Sequence, residues 1–208
     1  DILSFGIFTL TGQRFRFETS ALSGTIRYNE VLLDYRRYVR LNRALVLAGR
    51  ALHYGRYGPD AGDYRLYSLF LGDPWFMRGY DYTSVGAEVE NGDPEATDLY
   101  YDRLLGTRLA VGNLELRVPL LGAVGLFPTP GVPPIEAALF FDAGAAYQPD
   151  GWTAGTSGAG GWRETLTSYG ATLRVNLLGF AVGEAALVHP NDRPGKGWYW
   201  VLALQPGF

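Results

Sequence analysis

Apolar and polar residues alternate with a period of two along most of the chain, the pattern of β-strands with two unlike faces. Over 14–22, Arg14, Arg16, Glu18 and Ser20 share one face, and Phe15, Phe17, Thr19 and Ala21 share the other. Further strands are predicted over 25–38, 44–54, 107–119, 135–147, 168–178, 180–189 and 197–208. The clearest is 135–147. There Ile135, Ala137, Leu139, Phe141, Ala143, Ala145 and Tyr147 oppose Glu136, Ala138, Phe140, Asp142, Gly144 and Ala146. On 107–119, Asn113, Glu115 and Arg117 oppose Leu114, Leu116 and Val118, and on 168–178 the polar side holds Ser168, Thr172, Arg174 and Asn176. Residues 1–10 read as the end of a preceding strand, and Thr11-Gly12 as the turn after it.

The predicted strands number eight and run to roughly 9–14 residues each, against the ~9–11 with which a tilted strand crosses a bilayer. Their connections are unequal. Ser23-Gly24, 122–134 and Gly179 are assigned to one end, and 55–102, 148–165 and 190–195 to the other. Short turns at one end and longer loops at the other are the asymmetry of outer-membrane barrels. The longest segment without strand pattern is 55–102. Loops of such length are functional or disordered, and this one carries Tyr57, Tyr64, Tyr67, Phe70, Trp75, Phe76, Tyr80 and Tyr82, which have to pack somewhere. Arg78-Gly79-Tyr80 lies at its centre.

The composition of the two faces separates membrane from water. In a soluble β-sandwich the polar face meets solvent. Here the less apolar face is glycine, alanine, asparagine and charges that can pair, among them Arg16, Glu18, Arg50, Glu115, Asp142 and Arg174. The apolar face carries aromatics near strand ends, at Tyr147, Tyr169, Trp198, Trp200 and Phe208, where an interfacial girdle sits. An all-β, antiparallel transmembrane barrel is favoured over a soluble β-fold. Trp198, Trp200, Leu202, Leu204 and Phe208 fall on one face of the final strand. They read as a C-terminal assembly signal for outer-membrane proteins, the alternative being an edge strand that happens to end in phenylalanine.

Composition narrows the chemistry. Of 208 residues 19% are charged and 14% aromatic, with 28 glycines, a balance typical of β-rich chains. No cysteine is present, which excludes disulfides, thiol catalysis and cysteine metal sites. A net charge of −3 gives no footprint for nucleic acid. No apolar run is long enough for a spanning helix, and no basic segment leads into an apolar one at the start. The only histidines, His53 and His189, lie near strand ends outside any hydrolase or metalloprotease motif. Glu88, Glu90, Asp93 and Glu95 read as solvated acids, not a calcium site. An enzyme is not expected, nor any cofactor or metal.

Four features in order resemble one family. They are Arg78-Gly79-Tyr80 in the long loop, Gly112-Asn113-Leu114-Glu115-Leu116 on the next strand, Phe140-Phe141-Asp142-Ala143-Gly144 on the strand after, and the aromatic final strand. The chain is similar to the C-terminal half of the barrel in the outer-membrane insertase and translocase superfamily, the bacterial surface antigen family with BamA-like and TamA-like members. The resemblance implies that the loop folds into the lumen and that Arg78 contacts Asp142 and Glu115 on the wall. Both carboxylates lie on the polar faces of neighbouring strands, and a guanidinium is a planar fork suited to them. Gly79 then serves close packing or a positive φ, Tyr80 and Phe140 pack on each other, and Gly144 completes the strand motif. An exposed loop arginine and carboxylates in a wet lumen is the competing reading.

The family has sixteen strands and this chain eight. An eight-stranded barrel is filled by its own side chains and has no room for such a loop. The chain is therefore expected to be part of a longer protein, or half of a homodimeric barrel, ahead of an eight-strand barrel with the loop outside. The resemblance implies an outer-membrane location in a Gram-negative-type bacterium, surrounding outer-membrane lipid, and client outer-membrane polypeptides inserted at a weak seam or translocated. Pro206 and Gly207 fit a poorly paired end of the last strand. The competing class is a passive small pore or structural anchor.

Overall fold

The alternation produces eight long strands: β1 Phe8–Leu22, β2 Tyr28–Asn42, β3 Leu45–Tyr57, β4 Arg108–Gly122, β5 Ile135–Tyr147, β6 Leu166–Leu177, β7 Ala181–Pro190 and β8 Tyr199–Pro206. The structure is a computed structural model and describes residues 2–5, 8–122, 126–128, 131–147, 165–177, 181–193 and 195–206. The eight strands lie in one antiparallel sheet in chain order. A short strand, Ile2–Phe5, borders β1, and Phe127–Pro128 runs parallel to the end of β4. Among the described residues β1 and β8 are not paired with each other, so the sheet is not closed. An eight-strand barrel closed on itself is thus not the arrangement found. Phe208 and Gly207 lie outside the described residues, as does most of 148–165.

The two faces are inverted relative to a water-soluble sheet. Outward positions expose apolar side chains: Phe17, Leu114, Leu139 and Phe141 along the sheet, and Trp200 at 67% and Leu202 at 79% on β8. Inward positions bury polar ones: Asp34, Glu115, Glu136, Asp142, Ser168 and Asn176. This is the arrangement lipid demands and water forbids.

Strand ends move for identifiable reasons. Thr11-Gly12 is not a turn. Gly12 sits within β1 at φ 130° and pairs with Ile2, while the register shift between Leu3 and Ser4 leaves Leu10 of β1 as the extra residue of a bulge. The Ser23-Gly24 turn belongs to the same end as the long loop, because Arg27 and Asp60 bond to each other across the two connections. The 43–44 turn lies at the opposite end.

The long connection begins after Tyr57 and ends at Arg108, and it is not purely loop. It contains α1 (Tyr82–Glu90), α2 (Pro94–Asp98), a π-helical turn over Leu99–Leu104, and a two-residue ladder between Leu69–Phe70 and Leu105–Gly106. Asp81 caps α1 by accepting from the Ser84 N–H at 3.0 Å, and Asp93 caps α2 ahead of Pro94 at its first turn. The connection folds back onto the inner face of β3–β6. Leu71, Met77, Tyr80, Val85, Leu99 and Leu104 pack there against Leu52, Leu109, Val111, Ala146 and Leu166. This core lies between loop and sheet, and it accounts for Phe70, Phe76 and Tyr80. Tyr64 and Tyr67 remain almost fully exposed.

Candidate functional site

The tip of the connection, residues 76–80, reaches the sheet wall where β4, β5 and β6 lie side by side. Register places Asn113 opposite Asp142 and Glu115 opposite Phe140, so both acids and the ring point inward from adjacent strands. Arg78 fills the space between them. Its Nε and Nη2 donate to the two oxygens of Asp142, each at 2.7 Å, and its Nη1 donates to Glu115 at 2.7 Å. Its backbone N–H also donates to Asp142, at 3.2 Å. Asp142 is 0% exposed. The guanidinium lies flat on the Phe140 ring, 3.7 Å from its centroid.

The tip backbone is held as fully as its side chain. Asn113 donates to the Phe76 carbonyl at 3.0 Å and to Asp142 at 2.9 Å. The Ser168 hydroxyl donates to the Arg78 carbonyl at 2.7 Å, and Arg193 donates to that of Gly79 at 3.1 Å. Gly79 is closely packed and lies at positive φ. Its φ is 95°, and a Cβ there would stand 2.9 Å from Val188 Cγ1 and 3.3 Å from Ser168 Cβ. Gly79→Ala is expected to cost about 1–3 kcal/mol from left-handed strain and crowding, read as a lowered midpoint in thermal denaturation in detergent. Gly144 is likewise filled over, with Leu71 Cδ1 2.9 Å from its absent Cβ.

One expectation changes. Tyr80 and Phe140 do not form the pair predicted, because Phe140 is taken by Arg78. Tyr80 turns into the loop core, where its hydroxyl donates to the Thr167 carbonyl at 2.8 Å and accepts from the Asp192 N–H at 3.2 Å. Burial pushes its phenol up. Nor does Glu115 depend on Arg78 alone. Arg174 reaches it at 2.8 and 3.0 Å and also meets Glu136 at 3.1 Å and Glu184 at 2.8 Å, while Arg117 reaches Glu115 at 2.7 Å. Three arginines and four carboxylates form one buried network. Asp142 is the acid that relies on the loop.

Two contributors, Gly170 and Arg193, escape sequence reasoning, and the loop contact of a third, Arg50, escapes it too. Gly170 lies beside Phe140, and a Cβ there would fall 2.9 Å from the ring and 2.0 Å from the Leu187 carbonyl oxygen. Arg193, in the turn between β7 and β8, is 4% exposed. It donates to Gly79, to Ser84 Oγ at 3.0 Å, to Glu88 at 2.6 Å and to the Tyr199 hydroxyl at 3.2 Å. Arg50 of β3 donates to the Trp75 carbonyl while pairing with Asp34. Alternation marks an inward arginine but cannot say which loop carbonyl it meets.

A model of the Omp85 superfamily domain matches residues 6–182, a span that contains the loop tip and both wall carboxylates. The chain belongs to the Omp85 superfamily. No curated protein matches the chain. Omp85 proteins are outer-membrane proteins of Gram-negative-type bacteria, concerned with insertion or translocation of outer-membrane polypeptides. The inverted faces of the sheet are those of such a protein. Of the Omp85 chain's proposed assembly signal, Trp198 sits just before β8 against the rings of Tyr169 and His189, both 5.3 Å away, and Trp200, Leu202 and Leu204 point outward from β8.

Around the tip, α1 is tied to the β7–β8 turn through Glu88, which accepts from Arg193 at 2.6 Å and from Lys196 at 2.9 Å. Partial burial opposes ionisation of Glu88, but the two cations prevail and hold its carboxyl below the usual value. Folding therefore gains from this contact above the unfolded carboxylate value of about 4.5, and the gain is lost as pH falls through the lower folded value. Hydrogen exchange of the α1 amides, corrected for intrinsic rate, is expected to rise as pH drops below about 4.5. In Glu88→Gln this pH-dependent rise is absent.

Proposed function

We propose that this protein assists insertion of outer-membrane polypeptides, using the free edge of β8 as template and the Arg78 tip as a lock that keeps the wall rigid beside it. The observation that supports this reading most is that among the described residues β8 is hydrogen-bonded on one side only, to β7. Unpaired strand edges recruit further strands. In lipid the drive is strong, because every backbone group without a partner is costly there. The outward row Trp200, Leu202 and Leu204 sets the register, since an added strand has to place its own apolar face on the same side. The remaining arc of a wide barrel comes from a second copy or from more of the same protein, and it provides the lumen that the loop requires. No cofactor and no covalent step is involved, because strand pairing and burial supply the free energy.

The test is refolding of a small urea-denatured outer-membrane barrel into lipid vesicles with and without this protein. Faster client folding, lost when a proline is placed in the free edge of β8, is the expected result. Stepwise ion conductance with no acceleration of folding would replace the reading with that of a passive pore.

A further inference from the structure

The outward face of β3–β7 is mostly apolar, with His53, Thr167 and His189 near strand ends. Among the described residues of these strands, Arg108 is the only outward side chain with a full charge. It opens β4 at the long-loop end. Its guanidinium carbon lies 4.2 Å from the Tyr57 ring centroid and 5.5 Å from that of Tyr147, the rings that close β3 and β5 on either side. Tyr57 is itself fixed by a hydrogen bond with His53. The three side chains converge over Gly55, where a Cβ would stand 3.1 Å from each of Arg108 Cγ, His53 Nε2 and Tyr57 Cε2.

This arginine differs from those facing inward. Arg36, Arg50, Arg56, Arg117 and Arg174 each reach a carboxylate. Among the described residues Arg108 donates only through Nε, to the Arg56 carbonyl at 3.4 Å, and pairs with no acid. Its side chain lies on the outward face of the sheet, at the long-loop end of β4. A charge facing lipid is costly unless it reaches the interface or an anion. A guanidinium held by two rings presents its remaining N–H pair as a preformed fork, the geometry that a phosphate accepts bidentately.

We propose that Arg108, clamped between Tyr57 and Tyr147, binds the phosphate of an anionic membrane lipid in the leaflet at the long-loop end, for which phosphatidylglycerol serves as probe. The site commits to lipid instead of a free anion because its donors sit directly above Ala110 and Gly112, which face the acyl region. It is independent of client insertion, so either proposal can fail alone.

The test uses the detergent-solubilised protein in mixed micelles of phosphatidylcholine and phosphatidylglycerol, with retained lipid counted by native mass spectrometry. Wild type is expected to retain phosphatidylglycerol preferentially. Arg108→Gln reduces that retention roughly tenfold, the loss of one charge-assisted contact, and Arg108→Lys, which keeps charge without the fork, falls between. Trp198→Ala, in the Tyr169–His189–Trp198 aromatic cluster that contains no arginine, leaves retention unchanged. Heat-modifiable mobility on gels confirms that each variant is folded. Equal phosphatidylglycerol retention by wild type and Arg108→Gln would overturn the proposal and leave Arg108 hydrated by water alone. Displacement of the lipid by soluble glycerol 3-phosphate at equal concentration would overturn it in favour of a free-anion site.

Discussion

Arg78→Ala is expected to destabilise the protein by about 3–5 kcal/mol, the usual cost of removing one partner from a buried ion pair. The reason lies in Asp142 more than in Glu115. Glu115 keeps Arg117 and Arg174 after the substitution, so its charge stays compensated. Asp142 is fully buried and, among the described residues, keeps only Asn113 as side-chain donor. Its carboxylate would then be stranded against the exposed face of Phe140. Arg78→Lys should recover little, because an ammonium is a point donor and cannot span two oxygens of Asp142 and one of Glu115 at once. Strand content by circular dichroism is expected to stay at the wild-type level, since no ladder bond involves residue 78. The loss should appear as a lower temperature for the heat-modifiable mobility shift and faster protease cleavage within 58–107. Wild-type values for both would dismiss the lock.

Much of the sheet was legible because a strand in lipid has to alternate, and alternation is visible without an alignment. The inward and outward rows of β4, β5 and β6 are those the sequence pattern assigns, and β5 has the same limits. The failures follow from forces that alternation does not record. Thr11-Gly12 carries turn residues, yet both pair with a short neighbouring strand, so the chain runs on through them as strand beside a bulge at Leu10. The helices α1 and α2 were hidden because their register is set by packing on the sheet, and each is too short to show a periodic apolar face. Tyr80 and Phe140 both looked like partners for a ring. A cation over an aromatic face competes with ring stacking, and here the arginine takes Phe140. That eight strands would not close on themselves was legible only through the long loop and the room it needs, since an edge strand and a paired strand share one pattern.

Arg193→Ala carries the second large effect and reports on a connection between the loop tip and the free edge. Arg78 holds the tip from β4 and β5. Arg193 holds it from the opposite side, through the Gly79 carbonyl, while touching Tyr199, the first residue of β8. Tyr199 in turn donates to Asp81, the cap of α1, at 3.0 Å. Loss of Arg193 leaves the Gly79 carbonyl without its bond and a cavity beneath α1, at an expected cost of about 2–3 kcal/mol. Because Arg78 and Arg193 grip adjacent residues of one rigid tip, releasing either should loosen the other's contacts. The double variant is therefore expected to lose about 1 kcal/mol less than the sum of the two single losses. Hydrogen exchange should also rise in the amides pairing Val188 with Tyr199 and Ala186 with Val201, which lie next to the edge proposed to receive a client strand. A purely local role predicts additive losses and unchanged exchange in β8. That result would separate the lock from the seam and leave the long connection as a plug with no influence on insertion.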